Sequence, residues 1–216
     1  ADRGMAIDDL IVNNIADGTT IDATSGLIDQ LNFNNWNSGA LLADSIDDLK
    51  AAGDFGATLD VFDVAGNRES VDDIKIGGMI LTNGSWNING NVDNINANGS
   101  NANWQLIVTG YVDDVLFNNA DIDGVLLQAL FFDTFKTKGD LNANVMTTGA
   151  DRGMAIDDLI VNNIADGVTI DARSGMIDKL KLVAWEDGEL LADTINDLEA
   201  AGNFSATTRV LGTLVD

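Results

Sequence analysis

One short motif places an aspartate at regular intervals along the chain. It reads apolar, Asp, any residue, apolar, and it recurs ten times, with Asp at its second position in nine copies and Asn196 in the tenth. Carboxylates accept hydrogen bonds and are typical ligands of Ca²⁺, a hard cation that takes six to eight oxygens. We therefore predict a Ca²⁺-binding column made of nine residues, Asp8, Asp29, Asp47, Asp72, Asp93, Asp113, Asp133, Asp157 and Asp178.

Further aspartates accompany this column, and they leave a second interpretation open. A patchier set follows it by one residue: Asp9, Asp48, Asp73, Asp114, Asp158 and Asp197. Another set is expected opposite: Asp17, Asp54, Asp121, Asp140 and Asp166. Asp side chains also cap turns by accepting backbone N–H bonds, so the motif could serve a turn and leave the charge merely solvated. Neither an EF-hand loop nor a G-G-x-G-x-D calcium nonapeptide is present to assign individual sites.

The remaining inventory of reactive side chains is poor. The chain has no His and no Cys, which excludes Ser-His and Cys-His nucleophiles and His-ligated zinc or iron. Paired carboxylates could hydrolyse glycosides in principle, but here they recur on every motif, whereas a catalytic pair is expected to be singular. The arginines are scattered, and Arg152 only repeats Arg3. We predict that the protein is not an enzyme.

The spacing of the motif indicates how the chain positions these aspartates. Successive motifs begin 18 to 25 residues apart, about 21 on average, a length typical of solenoid rungs. The first seven spacings total 149, and residues 150–167 repeat residues 1–18 without a change. The sequence therefore predicts one seven-rung unit over 1–149 and the start of the next over 150–216.

Short runs of alternating apolar and polar residues predict strands inside each rung, as in Leu59-Asp60-Val61-Phe62. Gly and Asn cluster between the runs, where turns form readily. We predict an all-β parallel β-solenoid (β-helix) of about ten rungs, with two or three strands per rung and a single body over 1–216. Ile7, Leu10, Ile28, Leu31, Ile46 and Leu49 should stack inside it. An antiparallel β-sandwich shows similar alternation but does not explain identical motifs at one rung length.

The ends of the chain and its tryptophans give two further expectations. Ala1 opens within a repeat and the tail RVLGTLVD stays apolar, so we expect neither end to be a cap and the array to continue. Trp36 and Trp185 occupy equivalent positions where other rungs carry Ile15, Phe55 or Leu141, which predicts that both lie in the core. Trp86 and Trp104 have no duplicate for comparison.

The net charge restricts the partners. At −24, the chain is a poor match for nucleic acid or for an anionic membrane surface, both of which require basic residues. No apolar run is long enough for a transmembrane helix. Divalent cations are the natural counterparts, and further copies of the chain and polysaccharide are the other partners we expect.

The runs GDFGATLDV, GDLNANVMTTG and SVDDIKIGG resemble those of bacterial secreted β-helix proteins of the cell-surface and biofilm-matrix kind. The likeness covers nearly the whole chain, apart from its abundance of Asn and the long rungs 46–70 and 132–155. It implies an extracellular location and a structural or adhesive role, and it supplies no catalytic residue. We expect a non-enzymatic matrix or surface-layer scaffold that self-assembles into fibres. The alternatives are an adhesin stalk that displays a separate binding domain and a carbohydrate-active β-helix enzyme.

Overall fold

A computed structural model describes residues 4–63, 70–81 and 84–212, and within these ranges the chain forms β-strands and no helix. The strands are β1 (Met5–Ile11), β2 (Thr19–Phe33), β3 (Gly39–Ala51), β4 (Thr58–Val61), β5 (Val71–Ile76), β6 (Met79–Ile80), β7 (Ser85–Ile88), β8 (Val92–Ala97), β9 (Gly99–Ser100), β10 (Gln105–Val108), β11 (Val112–Phe117), β12 (Ile122–Ala129), β13 (Phe132–Thr137), β14 (Leu141–Thr147), β15 (Met154–Ile160), β16 (Val168–Leu182), β17 (Gly188–Ala200) and β18 (Thr207–Val210).

The named strands pair in parallel with the equivalent strand one rung away, which confirms the predicted parallel β-solenoid of about ten rungs. The antiparallel sandwich is excluded.

Each rung has three faces. Face 1 carries the Asp motif and comprises β1, β5, β8, β11, β13, β15 and the second halves of β2, β3 and β16–β17. Face 2 comprises β4, β7, β10, β18, most of β12 and β14 and the first halves of β2, β3, β16 and β17. Face 3 is the short remaining side, with β6 and β9.

The register stacks like residues in columns, as the sequence predicts. On face 1, Ile28 lies beside Ile46 and Leu31 beside Leu49, and all four are buried. The same two columns continue through Val92 and Ile95 to the end of the stack. Between these columns two successive side chains, such as Asp93 and Asn94, point outward, so the strand bends at the Asp motif. The motif therefore places its carboxylates on the outside of a corner.

Aromatic side chains fill part of the interior. All four tryptophans are fully buried, and Trp36 lies in register with Phe55 on face 3, which confirms the predicted core position of Trp36 and Trp185. Ring centroids lie 5.6 Å apart between Trp36 and Phe55 and 5.4 Å apart between Trp86 and Trp104. The aromatic rings inside the solenoid are thus packed against one another, and none of the four tryptophans is accessible to a ligand.

A glycine turn fixes the corner after Trp36 and again after Trp185. The Trp36 indole Nε1 donates to the Ser38 carbonyl at 2.8 Å, and Gly39 follows with φ of 144°. Gly188 repeats this φ in the second copy, where Trp185 Nε1 donates to the Asp187 carbonyl at 2.9 Å. Only glycine adopts this backbone region freely, so the same short sequence forms the same turn in both copies.

The long repeat is also visible in three dimensions, because β1 to β4 and β15 to β18 are equivalent strands 149 residues apart. We number the rungs from the first apolar residue of each motif, so rung 1 begins at Ile7, rung 7 at Phe132, rung 8 at Ile156 and rung 10 at Ile195. Ala1 and the last four residues of the tail lie outside the described residues. None of the described residues forms a helix able to span a membrane.

Candidate functional site

The nine predicted aspartates occupy one register position on face 1, between the two buried columns. Asp133, for example, lies between Phe132 and Thr134, which pair with Ile156 and Asp158 of the next rung. Parallel strands are about 4.8 Å apart, so equivalent carboxylates follow one another at that spacing along the corner. Asn196 continues the column in rung 10, and its Nδ2 donates to Asp178 Oδ1 at 2.8 Å. The sequence therefore located the column correctly as a row of neighbouring side chains.

The second set of aspartates runs beside this column and is partly neutralised by lysines. Lys50 lies 2.7 Å from Asp48, and Lys75 lies 2.6 Å from Asp73. Lys136 of rung 7 reaches Asp158 of rung 8 at 3.4 Å. Such exposed pairs stabilise a fold by about 0–1 kcal/mol each.

Neighbouring carboxylates of the column interact where rung 7 meets rung 8. Partial burial raises the pKa of Asp157 above its ordinary value of 3.8, and a hydrogen bond to Asp133 raises it further. The negative charges of Asp133, Asp178 and Asp158 act in the same direction. Asp157 therefore retains its proton to a higher pH than an isolated aspartate does.

The column provides one carboxylate per rung in a line, and this linear arrangement does not surround a cation by itself. No group of three or more acidic side chains in metal-binding geometry occurs among the described residues. A Ca²⁺ ion here would have to combine an adjacent-rung pair, such as Asp47 with Asp72, with backbone carbonyls and water to reach six to eight oxygens. The Ca²⁺ assignment of the nine aspartates stays a prediction.

The aspartates expected opposite the column have a different role at the turns. Asp54 Oδ1 accepts the Met79 N–H at 2.8 Å, and Asp121 Oδ1 accepts the Asp140 N–H at 2.8 Å. Asp140 Oδ1 in turn accepts from the Asn162 and Asn163 side-chain amides at 2.8 Å each. Asp54 and Asp121 thus each accept a backbone N–H of the next rung. The capping interpretation of the motif aspartates themselves, each at its own turn, stays a prediction.

A cavity of about 400 Å³ lies at the corner that joins face 2 to face 1, beside the Asp column. Its floor includes the stacked rings of Tyr111 and Phe131, whose centroids are 5.6 Å apart and whose planes are inclined by 33°. It is also lined by Asp113, Asp133, Asp151, Arg152, Met154 and Asp157. Arg152 has a left-handed backbone with φ of 47°, and the strongly exposed turn that carries it borders the cavity. We call this cavity the aromatic groove.

Sequence reasoning missed the aromatic groove, although a signal was available. Tyr111 and Phe131 each stand directly before the Asp motif, at the position that Asn91 occupies one rung earlier. Aligning the rungs at this position would have shown two aromatic residues in succession. The groove does contain aromatic rings and a carboxylate pair, but Asp133 and Asp157 share a hydrogen bond.

The two ends of the stack are a second candidate site. Within the described residues, β1 pairs on one side only, with β2, and β18 only with β17. Ile7, Leu10 and Ile15 of rung 1 are only partly buried, and Leu198 in rung 10 is 36% exposed although its column is buried in the rungs between. Among the described residues, rungs 1 and 10 therefore each have one unpaired side together with incompletely covered core side chains.

The chain matches no protein-family model, and neither curated proteins nor solved structures give a significant match. The functional argument therefore depends on the geometry of this molecule alone.

Proposed function

We propose that the protein is a non-enzymatic structural scaffold of an extracellular matrix, biofilm or cell-surface layer, and that it assembles into fibres by end-to-end stacking. The observation that carries this proposal is the pair of open ends. Edge strands with unpaired N–H and C=O groups recruit other strands unless they are covered. A second copy offers strands of the same spacing and a matching apolar interior, so stacking would bury both ends at once.

The assembly proposal is tested with the purified 216-residue chain. Sedimentation velocity over a wide concentration range should show growing linear oligomers, and negative-stain images should show fibres one solenoid wide. A species that stays monomeric at high concentration, with no fibres in the images, contradicts the proposal. Broad lateral aggregates without a uniform width would also contradict it, because they do not require the ends.

Calcium binding is part of the same proposal. What supports it is the outward row of carboxylates on face 1, only some of whose neighbours are paired with lysine. A divalent ion held between adjacent rungs would offset a repulsion of about 1 kcal/mol per neighbouring pair in water. Since the folded stack alone brings the carboxylates together, such an ion would stabilise the fold by mass action.

The aromatic groove favours polysaccharide as a further matrix partner. Two partly buried rings provide apolar surface for the face of a sugar, and the surrounding carboxylates can accept hydrogen bonds from hydroxyl groups. Calorimetric titration with oligosaccharides checks this point. Binding should be lost in Tyr111→Ala and kept in Tyr111→Phe, and equal binding by both variants would place the sugar elsewhere. An adhesin stalk remains the alternative role for the same stack.

A further inference from the structure

The sequence at the edge of rung 1 occurs a second time in the same molecule, in rung 8, where another rung pairs with it. Residues 150–167 repeat residues 1–18 without a change, and in the second copy this sequence is covered by rung 7. There β13 pairs with β15 in parallel, with Phe132 beside Ile156 and Phe135 beside Leu159. The internal junction between rungs 7 and 8 therefore shows how a rung-1 sequence accepts the rung that precedes it.

Polar contacts give this junction its register. Lys136 Nζ lies 3.4 Å from Asp158 Oδ2. Asp140 Oδ1 accepts from the Asn162 and Asn163 side chains, and the Leu141 N–H donates to the Asn163 carbonyl at 2.8 Å. In rung 1 the counterparts of Asp158, Asn162 and Asn163 are Asp9, Asn13 and Asn14. The exposed edge of rung 1 thus carries the same polar residues that rung 8 contributes to the internal junction.

The C-terminal edge carries the other side of the junction with one reversal of charge. Following the register from rung 7, Lys136 is succeeded in its column by Ile160, Lys181 and Glu199. On face 3, Phe204 pairs with Trp185 as Ile164 pairs with Leu141, which puts Asn203 at the place of Asp140. Asn203 keeps an oxygen that can accept from an amide, whereas Glu199 replaces a cation with an anion. Glu199 is paired within its own copy with Lys181 of rung 9, at 2.7 Å. The same register puts Asp197 in the place of Thr134.

We infer that the rung-1 edge docks the C-terminal edge of a second copy in the register of the internal junction, with Asp9 of one copy facing Glu199 of the other. This inference rests on the proposed end-to-end stacking and names the surface and the register that it uses. The like charges of Asp9, Asp197 and Glu199 weaken the junction between copies relative to the internal one, where Thr134 and Lys136 stand in place of Asp197 and Glu199, and Lys181 offsets part of the charge of Glu199.

A charge-swap cycle on the full chain tests this register. Glu199→Lys removes the ion pair with Lys181 inside its own copy. It should restore the Lys–Asp contact across the junction and lower the Kd of end-to-end association by up to about fivefold at low salt, the range of an exposed ion pair. Asp9→Lys should do the same, because the introduced lysine would then face Glu199. The double variant places one lysine against another, so its association should be weaker than that of either single variant. Sedimentation equilibrium at constant ionic strength supplies the four values.

The double variant separates this register from a general charge effect. Each single substitution makes the net charge of −24 less negative by two units and the double by four, so relief of overall repulsion predicts the tightest association for the double. Asp166→Lys, an exposed change of the same size within rung 8, is the matched control and should leave the Kd unchanged.

The possible failures are distinguishable. If the wild type associates but the changes in Kd from the two single substitutions simply add in the double variant, the register is wrong. The same holds if Asp166→Lys changes the Kd as Glu199→Lys does. In both cases the proposal of end-to-end stacking is retained. If neither the wild type nor any variant associates at any concentration, both the stacking proposal and the proposed register fail. Association that appears only in the single variants supports the register and identifies the Asp9–Glu199 contact as what holds wild-type copies apart.

Discussion

Rungs 1 and 8 share one sequence over eighteen residues but have different environments. In rung 8, Ala155, Ile156 and Leu159 are fully buried, whereas in rung 1 Ala6 is exposed and Ile7 and Leu10 are half-buried. The only difference is the neighbour, because rung 8 has rung 7 on its open side and rung 1 has no described rung there. Burial in a solenoid is therefore a property of the stack, and each rung completes the core of the next.

The largest expected difference between the two rungs is in core stability. Leu159→Ala should lower the free energy of unfolding by about 3 kcal/mol, because it leaves a cavity between two covering rungs. Leu10→Ala, the same change in the same local sequence, should cost less than about 1 kcal/mol, since water already reaches this side chain. Urea titration followed by tryptophan fluorescence measures both. Equal losses would mean that rung 1 is as well covered as rung 8 under the conditions of the experiment, as it would be in a stacked fibre.

The second expected difference is in the response to pH. The pKa of Asp157 is raised in the folded state by burial and by Asp133, so the folded chain keeps this proton to a higher pH than the unfolded chain does. The stability that the proton contributes is present below the ordinary pKa of 3.8 and is lost as the pH rises through the folded value. Asp157→Asn should therefore stabilise the protein by up to about 1 kcal/mol at pH 7 and change little at pH 3.

Asp8→Asn is the matched control for this pH experiment. Asp8 has the same sequence neighbours, but among the described residues only rung 2 supplies a carboxylate to it. Its substitution should shift the urea midpoint at pH 7 by less than Asp157→Asn does. If the two variants shift the midpoint equally, crowding between rungs 7 and 8 is not the source of the effect.

The smallest expected difference concerns calcium. Millimolar Ca²⁺ should raise the melting midpoint above that in NaCl of matched ionic strength, by about 0.4 kcal/mol of stability when the ion concentration equals Kd. Asp47→Asn with Asp72→Asn should remove the calcium-specific part, because this pair lies between covered rungs. Asp8→Asn with Asp29→Asn, at the open end, should remove less. If Ca²⁺ and NaCl raise the melting midpoint equally, charge screening alone explains the effect, and the hypothesis of specific calcium sites is wrong.

Much of the architecture was readable from periodicity. The recurrence of apolar, Asp, any, apolar predicts the parallel stack, the two buried columns of face 1 and the outward row of carboxylates, because a stack forces like positions into register. The equivalence of Trp36 and Trp185 predicted their burial for the same reason. The sequence did not predict the aromatic groove or the cross-rung caps of Asp54 and Asp121, which depend on contacts between rungs about twenty residues apart.

The sequence by itself determined the rung, since the alternation of apolar and polar residues selects the faces and the Gly and Asn positions select the corners. Only the tertiary structure decided which copy of an identical segment is buried, which neighbouring carboxylates raise the pKa of Asp157, and which strands of the described residues lack a partner on one side. Those properties arise between rungs, where the identity of the neighbour, the distance between charges and the water excluded by stacking are set. Residues 1–18 and 150–167 demonstrate this, because one sequence becomes an interior rung in one place and an edge in the other.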